Sequence, residues 1–248
     1  MRYFLDIAYK GKHYHGWQIQ PNAISVQQVL ENALSTLLRE KIQVTGAGRT
    51  DTGVHAKQLI VHFDIETLDD LIAFQHRLNS FLPSDIAIND IKAVQKEAHA
   101  RFDAVEREYE YLLITQKNPF LSDSAFLLNR TPDFDKMNQA AALLLDHQDF
   151  QCFSRSGSDV KTYHCDVRKA RWEKRGDAWV FTIAADRFLR NMVRAVVGTL
   201  LEVGLGKMDM DQFRQVLLSK DRSKAGASAP AHGLYLVHVN YPENIYLD

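Results

Sequence analysis

Two kinds of apolar spacing alternate along this chain of 248 residues, and their order constrains the fold more than any other feature. Tyr3 to Tyr9 alternate as a strand does, with every second side chain apolar. Helical spacing follows, with Val26, Val29, Leu30, Ala33, Leu34 and Leu37 on one stripe behind Ser25 as the capping residue. Gln58 to Ile65 alternate again. A second stripe runs through Leu71, Ile72, Phe74, Leu78 and Phe81, stopped at Leu82-Pro83-Ser84. Ile86 to Val94 and Arg107 to Ile114 read as strands. Strand, helix, strand then recurs: a helix over 134–145, two strands over 161–173 and 179–184 around Arg175-Gly176-Asp177, and a helix over 188–203 closed by Gly204 and Gly206. A helix over 210–218 and a strand over 234–239 end the chain. The order strand, helix, strand thus recurs in both halves without obvious identity between them. Asn118-Pro119 and Thr131-Pro132-Asp133 mark the expected boundary, with one half over 1–117 and another over 118–248.

Composition adds exclusions. At 46% hydrophobic and 25% charged the chain reads as globular. A net charge of -1 gives no global attraction for a polyanion, so any nucleic acid must be held by local basic patches. One such stretch exists. Residues 151–194 carry ten Lys or Arg against five acids, and Arg187, Arg190 and Arg194 fall at spacings that would share a helix face. Cys152 and Cys165 are too few for a disulfide scaffold and point to a reducing compartment. The opening residues lack a signal-peptide core and no apolar run reaches membrane-spanning length, so a cytoplasmic protein is expected.

The chemistry is concentrated in Val44-Thr-Gly-Ala-Gly-Arg-Thr-Asp-Thr-Gly-Val-His-Ala56. Its glycines permit positive φ and close approach. Asp51 is set on a tight turn, with Arg49 two residues away to favour its ionised form. An ionised, positioned carboxylate is a nucleophile or a base; the same residues also suit a structural Asx-turn. The loop is not a phosphate loop, because no Gly-Lys-Ser/Thr follows. His13 and His15 lack a third ligand, and His164-Cys165 lacks catalytic context, so no metal site is expected. Asp51-Thr52-Gly53 matches the triplet of aspartic proteases, which would require a symmetric dimer to pair two carboxylates. The strand Arg107-Glu-Tyr-Glu-Tyr111 places Arg107, Tyr109 and Tyr111 on one face, which could serve as a floor for a stacked base or as ordinary half-buried tyrosines.

Gly48-Arg-Thr-Asp-Thr-Gly-Val-His-Ala56 resembles the catalytic loop of the TruA family of tRNA pseudouridine synthases. Ala8-Tyr-Lys-Gly-Lys-His-Tyr-His-Gly-Trp-Gln18 is similar to the family's opening motif. Leu82-Pro-Ser-Asp-Ile86, His99-Ala-Arg-Phe102, Arg107-Glu-Tyr-Glu-Tyr111, Phe188-Leu-Arg-Asn-Met-Val-Arg194 and Gly233-Leu-Tyr-Leu236 follow in the family's order. Lys10 stands where the family usually has Asp, and Thr52 where Ala is commoner. The resemblance implies a mixed α/β (α+β) chain of two similar halves, each an antiparallel sheet with helices on one face, with an active-site cleft between them. It implies an isomerase that converts uridine to pseudouridine at positions 38, 39 and 40 of the tRNA anticodon stem-loop. It also implies a homodimer that needs no cofactor. By resemblance Asp51 is the essential carboxylate, attacking C1′, attacking C6 or assisting a glycal route. Tyr109 packs on the target base, and Arg194 holds the carboxylate, with Arg49 beside it. The alternative is a catalytically silent tRNA-binding protein.

Overall fold

The computed structural model describes residues 1–155, 157 and 160–247. In chain order the main elements are β1 (Arg2–Tyr9), α1 (Val26–Leu38), β2 (Thr45–Gly46), β3 (His55–Asp64), α2 (Leu71–Phe81), β4 (Ile86–Val94), β5 (Glu106–Ile114), β6 (Phe126–Leu127), α3 (Phe134–Ala142), β7 (Val167–Arg175), β8 (Ala178–Ala185), α4 (Met192–Gly204), α5 (Met210–Ser219) and β9 (Leu234–Asn240). This is the mixed α/β chain that the resemblance implies, and most of its strand pairs are antiparallel. The compact units comprise Met1–Glu106 with Tyr235–Asp248, and Arg107–Leu234. They divide between 106 and 107 instead of between 117 and 118. The chain's end joins the first unit because β9 pairs in parallel with β3 through His55↔Tyr235 and Ala56↔Leu236.

In the first unit, β1 lies between β3 and β4, antiparallel to both. Tyr3, Phe4, Leu5 and Ile7 of β1 are buried with Leu59, Val61 and Phe63 of β3. Ser25 caps α1, its side chain accepting from the Gln28 N–H, and Val26, Leu30, Ala33 and Leu34 are buried. Asp70 caps α2 in the same way. The expected α2 stripe is narrower than its spacing implies, since Ile72 and Phe81 are exposed and only Phe74 and Leu78 are buried. The reason is that α2 meets an edge strand partly through hydrogen bonds. Asn79 accepts from the Ile88 N–H and donates to its carbonyl, while Gln75 donates to Ile88 and Asn89 carbonyls. Backbone groups of Ile88 and Asn89 in β4 are thereby bonded within the unit.

In the second unit, β8 lies between β5 and β7, antiparallel to both, and seven of its eight residues are buried. Gly176, at φ +58°, makes the β7–β8 turn. Asn138 of α3 exchanges two hydrogen bonds with the Trp172 backbone, and the Phe134 ring stacks on Trp179 at 3.6 Å. Cys152 and Cys165 are buried free thiols that burial pushes up to about 12.

Two expected elements are shorter than their periodicity suggests. The strand expected over 161–173 begins at Val167, because the backbone before it bonds elsewhere: Phe150 N–H to the Tyr163 carbonyl and Cys165 N–H to the Gln148 carbonyl. The helix expected over 188–203 begins at Met192, after Asn191 at φ +66°. The Arg190 carbonyl is taken by the Arg155 N–H. Arg187 and Arg190 therefore precede the helix, and the three-arginine helix face does not form. The polar loop read over 150–158 contains a short helical turn at Gln151–Phe153, and its positions 156 and 158 lie outside the described residues, as does Asp159.

Candidate active site

The loop bearing Asp51 is clamped from both ends. At its entry β2 pairs with β3 through Thr45↔His62 and Gly46↔Val61, and the Ala47 N–H donates to the Ile60 carbonyl. At its exit His55 opens β3, with its Nδ1 accepting from the Gly11 N–H. Between them the stretch Tyr9 to Trp17 presses on the loop. Trp17 N–H donates to the Thr50 carbonyl at 3.2 Å, and the Tyr9 hydroxyl meets Thr50 Oγ1 at 2.8 Å. Gly11 and Gly16 are where backbone meets backbone: an added Cβ would lie 2.0 Å from the Val54 carbonyl oxygen and 2.4 Å from that of Thr50. Gly46 admits the buried Trp17 indole over the loop's entry. The aromatic opening motif is thus the loop's scaffold, which fits a Trp anchor.

Within this clamp the Val54 N–H closes a turn onto the Asp51 carbonyl, with Gly53 at φ +80°. Thr50 is buried, Asp51 is half-buried and Thr52 is exposed. Asp51 thus lies on a turn, outside any helix or strand. Arg49 is exposed, and among the described residues it forms no ion pair. Any influence of Arg49 on Asp51 is a through-space one, not a salt bridge.

In the second unit, Tyr109 is half-buried on β5, with Phe188 edge-on to its ring at 5.1 Å. Tyr111 is sealed instead. It is fully buried, its hydroxyl donates to the Pro230 carbonyl at 2.9 Å, and burial raises its phenol above the usual range. Gly233 lies against that ring. Arg107 is occupied in donating to the Asp186 carbonyl. The floor of two tyrosines and an arginine therefore reduces to Tyr109. Arg194 stands in the first turn of α4, half-buried, and its Nε donates to the Ala229 carbonyl at 2.8 Å.

The basic stretch is largely neutralised on its hairpin. Arg168 pairs with Asp166, Lys169 with Glu108, Arg171 with Glu173, and Arg175 with Glu110 and Glu173. The excess of cations counted along the sequence overlooks Glu108 and Glu110, which the adjacent β5 supplies. What the residue pattern missed altogether is the segment 225–229, whose Ala229 carbonyl fixes Arg194. Its small residues carry no periodic signal.

Residues 7–103 and 140–242 match the tRNA pseudouridine synthase family. Asp51 and Arg194 fall inside the matched residues and Tyr109 outside them. The chain is 52% identical over 246 residues to a tRNA pseudouridine synthase A of Parabacteroides distasonis, covering 99% of this chain and 98% of that protein. A protein of that name from Bacteroides thetaiotaomicron is 50% identical, covering 99% and 92%. One from Francisella tularensis is 43% identical, covering 97% and 94%. Among the described residues no helix is long and apolar enough to cross a membrane. A family match through both the Asp51 loop and the Arg194 helix, with full-length relatives at half identity, leaves no room for the protease alternative: the chain belongs to the tRNA pseudouridine synthase family.

Proposed function

We propose that this protein isomerises uridine to pseudouridine at positions 38, 39 and 40 of the tRNA anticodon stem-loop, with Asp51 as the reacting carboxylate. The reaction breaks the N1–C1′ bond, turns the uracil and forms C5–C1′; C5 loses a proton and N1 gains one. No electron or group leaves the nucleoside, so the chemistry requires no cofactor. Attack at C1′, attack at C6 and a glycal route all need an ionised carboxylate held against the nucleoside. The observation that carries this reading is the clamp that presents Asp51 on a turn braced by Tyr9, Gly11, Gly16 and Trp17. A carboxylate on a turn so constrained is preorganised for a reaction that depends on placement.

Tyr109 is the ring on which the target uracil packs, and its hydroxyl takes the C5 proton. Arg194 holds the carboxylate, and Arg49 adds positive potential beside it. The target uridine must leave its stack, which costs a few kcal/mol that phosphate contacts offset. Recognition rests on shape and backbone, as for other RNA helices. Because the hairpin cations are paired within the chain, a homodimer with one tRNA across both subunits supplies the larger surface such binding needs. The cytoplasm is where this substrate and two reduced thiols occur together.

Tritium release from tRNA labelled at uridine C5 tests the assignment. Asp51→Ala should abolish release while the tRNA Kd stays within about twofold, because the lost group acts in the transition state. Turnover retained in that variant would refute it. Substrates with a single uridine at position 38, 39 or 40 test the range of positions.

A further inference from the structure

The segment 225–229 is strapped onto α4. The Gly226 N–H donates to Thr199 Oγ1 at 2.9 Å, and the same hydroxyl donates to the Ala195 carbonyl. Gly198 lets the strap lie flat on the helix, since a Cβ there would sit 1.7 Å from the Ala227 carbonyl oxygen. At its end the strap and Arg194 bond reciprocally. The Ala229 N–H donates to the Arg194 carbonyl at 2.9 Å, and Arg194 Nε donates to the Ala229 carbonyl at 2.8 Å. The guanidinium of Arg194 is thus oriented by a backbone oxygen on the strap.

One side chain gathers that strap. Arg222 donates from Nη1 to the carbonyls of Ala225 and Gly226, at 3.3 and 3.0 Å, and from Nη2 to Ser228 Oγ at 2.9 Å. Ser228 Oγ also accepts from Asn191 Nδ2 at 2.7 Å, which ties the strap to the left-handed residue opening α4. A guanidinium suits this task because its planar fork reaches several acceptors at once, and an ammonium cannot reproduce that geometry. Arg222 thus bonds Ala225, Gly226 and Ser228 of the strap, and Arg194 bonds Ala229.

We propose that Arg222 is a positioning residue for the isomerisation, acting through Ser228 and the strap to hold the Arg194 guanidinium in its working orientation. The proposal rests on the assignment of Arg194 to the reacting carboxylate. It predicts a loss in the rate of conversion that tRNA affinity does not share. Misplacement of a positioned group by about 1 Å costs up to a hundredfold in rate.

The experiment is a double-mutant cycle read by single-turnover conversion of tRNA with enzyme in excess. Arg222→Ala should lower the rate about tenfold or more, with the tRNA Kd within about twofold. Arg194→Lys keeps the charge and the backbone bond to Ala229 but removes the Nε donor, so the strap no longer orients a guanidinium in it. In that background Arg222→Ala should lower the rate less than about twofold, because linked residues are not additive. An equal loss in both backgrounds, as a general structural role gives, would overturn the proposal, and so would an unchanged rate for Arg222→Ala. Should Arg222→Ala fail to fold, Ser228→Ala removes one link alone; a few-fold loss that vanishes with Arg194→Lys supports the proposal, and no loss overturns it. An Arg194→Lys enzyme at the full wild-type rate would instead strike down the role of Arg194, and this proposal with it.

Discussion

Replacing His62 with asparagine should change how the protein's stability responds to acid. His62 is 7% exposed, and its Nδ1 accepts from the Ala100 N–H at 3.1 Å. Burial above all, then the Arg2 charge and the neighbouring His99 ring at 4.7 Å, lower its pKa to about 4, against the opposing pull of Asp64 and Asp103. Arg2 does not move away, because its guanidinium holds Asp64 with two hydrogen bonds and the Ala98 carbonyl with a third. The folded state therefore keeps His62 neutral where the unfolded chain, near 6.5, takes up a proton. A depressed folded pKa contributes stability that is fully present above 6.5 and is lost as pH falls toward 4. Linkage puts that loss at about 1 kcal/mol at about pH 5.5 and about 2–3 kcal/mol at about pH 4.5, relative to about pH 7.5. His62→Asn offers an amide oxygen to the same N–H without titrating. Urea unfolding of both proteins at these three pH values measures the difference. The wild type should lose stability relative to His62→Asn by those amounts. Parallel pH profiles would show that burial and Arg2 do not suppress protonation of His62, and would refute the reasoning.

Three further outcomes follow from contacts in the second unit. Gly198→Ala should force the strap off α4, because no rotamer relieves a Cβ facing a backbone oxygen at 1.7 Å; a loss of about 1–3 kcal/mol in thermal or urea unfolding is expected, with slower tritium release. Arg175→Ala should cost about 1–3 kcal/mol, because Glu110 is 8% exposed and would lose its guanidinium. Arg168→Ala, whose pair with Asp166 is exposed, should stay within about 0.5 kcal/mol by the same urea measurement.

Much of the local structure was legible because its causes are local. Ser25 marks the start of α1, and the Pro83 break marks the end of α2, because capping and proline stereochemistry act within a turn. The bounds of β4 are those of the strand read over Ile86 to Val94. Legibility failed where a distant backbone competes for the same groups. The Arg190 carbonyl goes to Arg155 and the Tyr163 carbonyl to Phe150, so neither segment continues its apparent period. Tyr109 and Tyr111 alternate identically, yet Pro230 and Gly233 seal only the second.

The sequence by itself determined the fold class, the carboxylate on a glycine-rich turn and the family to which the chain belongs, since those rest on residue types in a fixed order. Tertiary structure alone decided which cations are neutralised, which tyrosine is sealed and what orients Arg194. Those depend on partners brought together from far apart in the chain, such as Glu110 with Arg175 and Ala229 with Arg194, and no spacing along the chain encodes them.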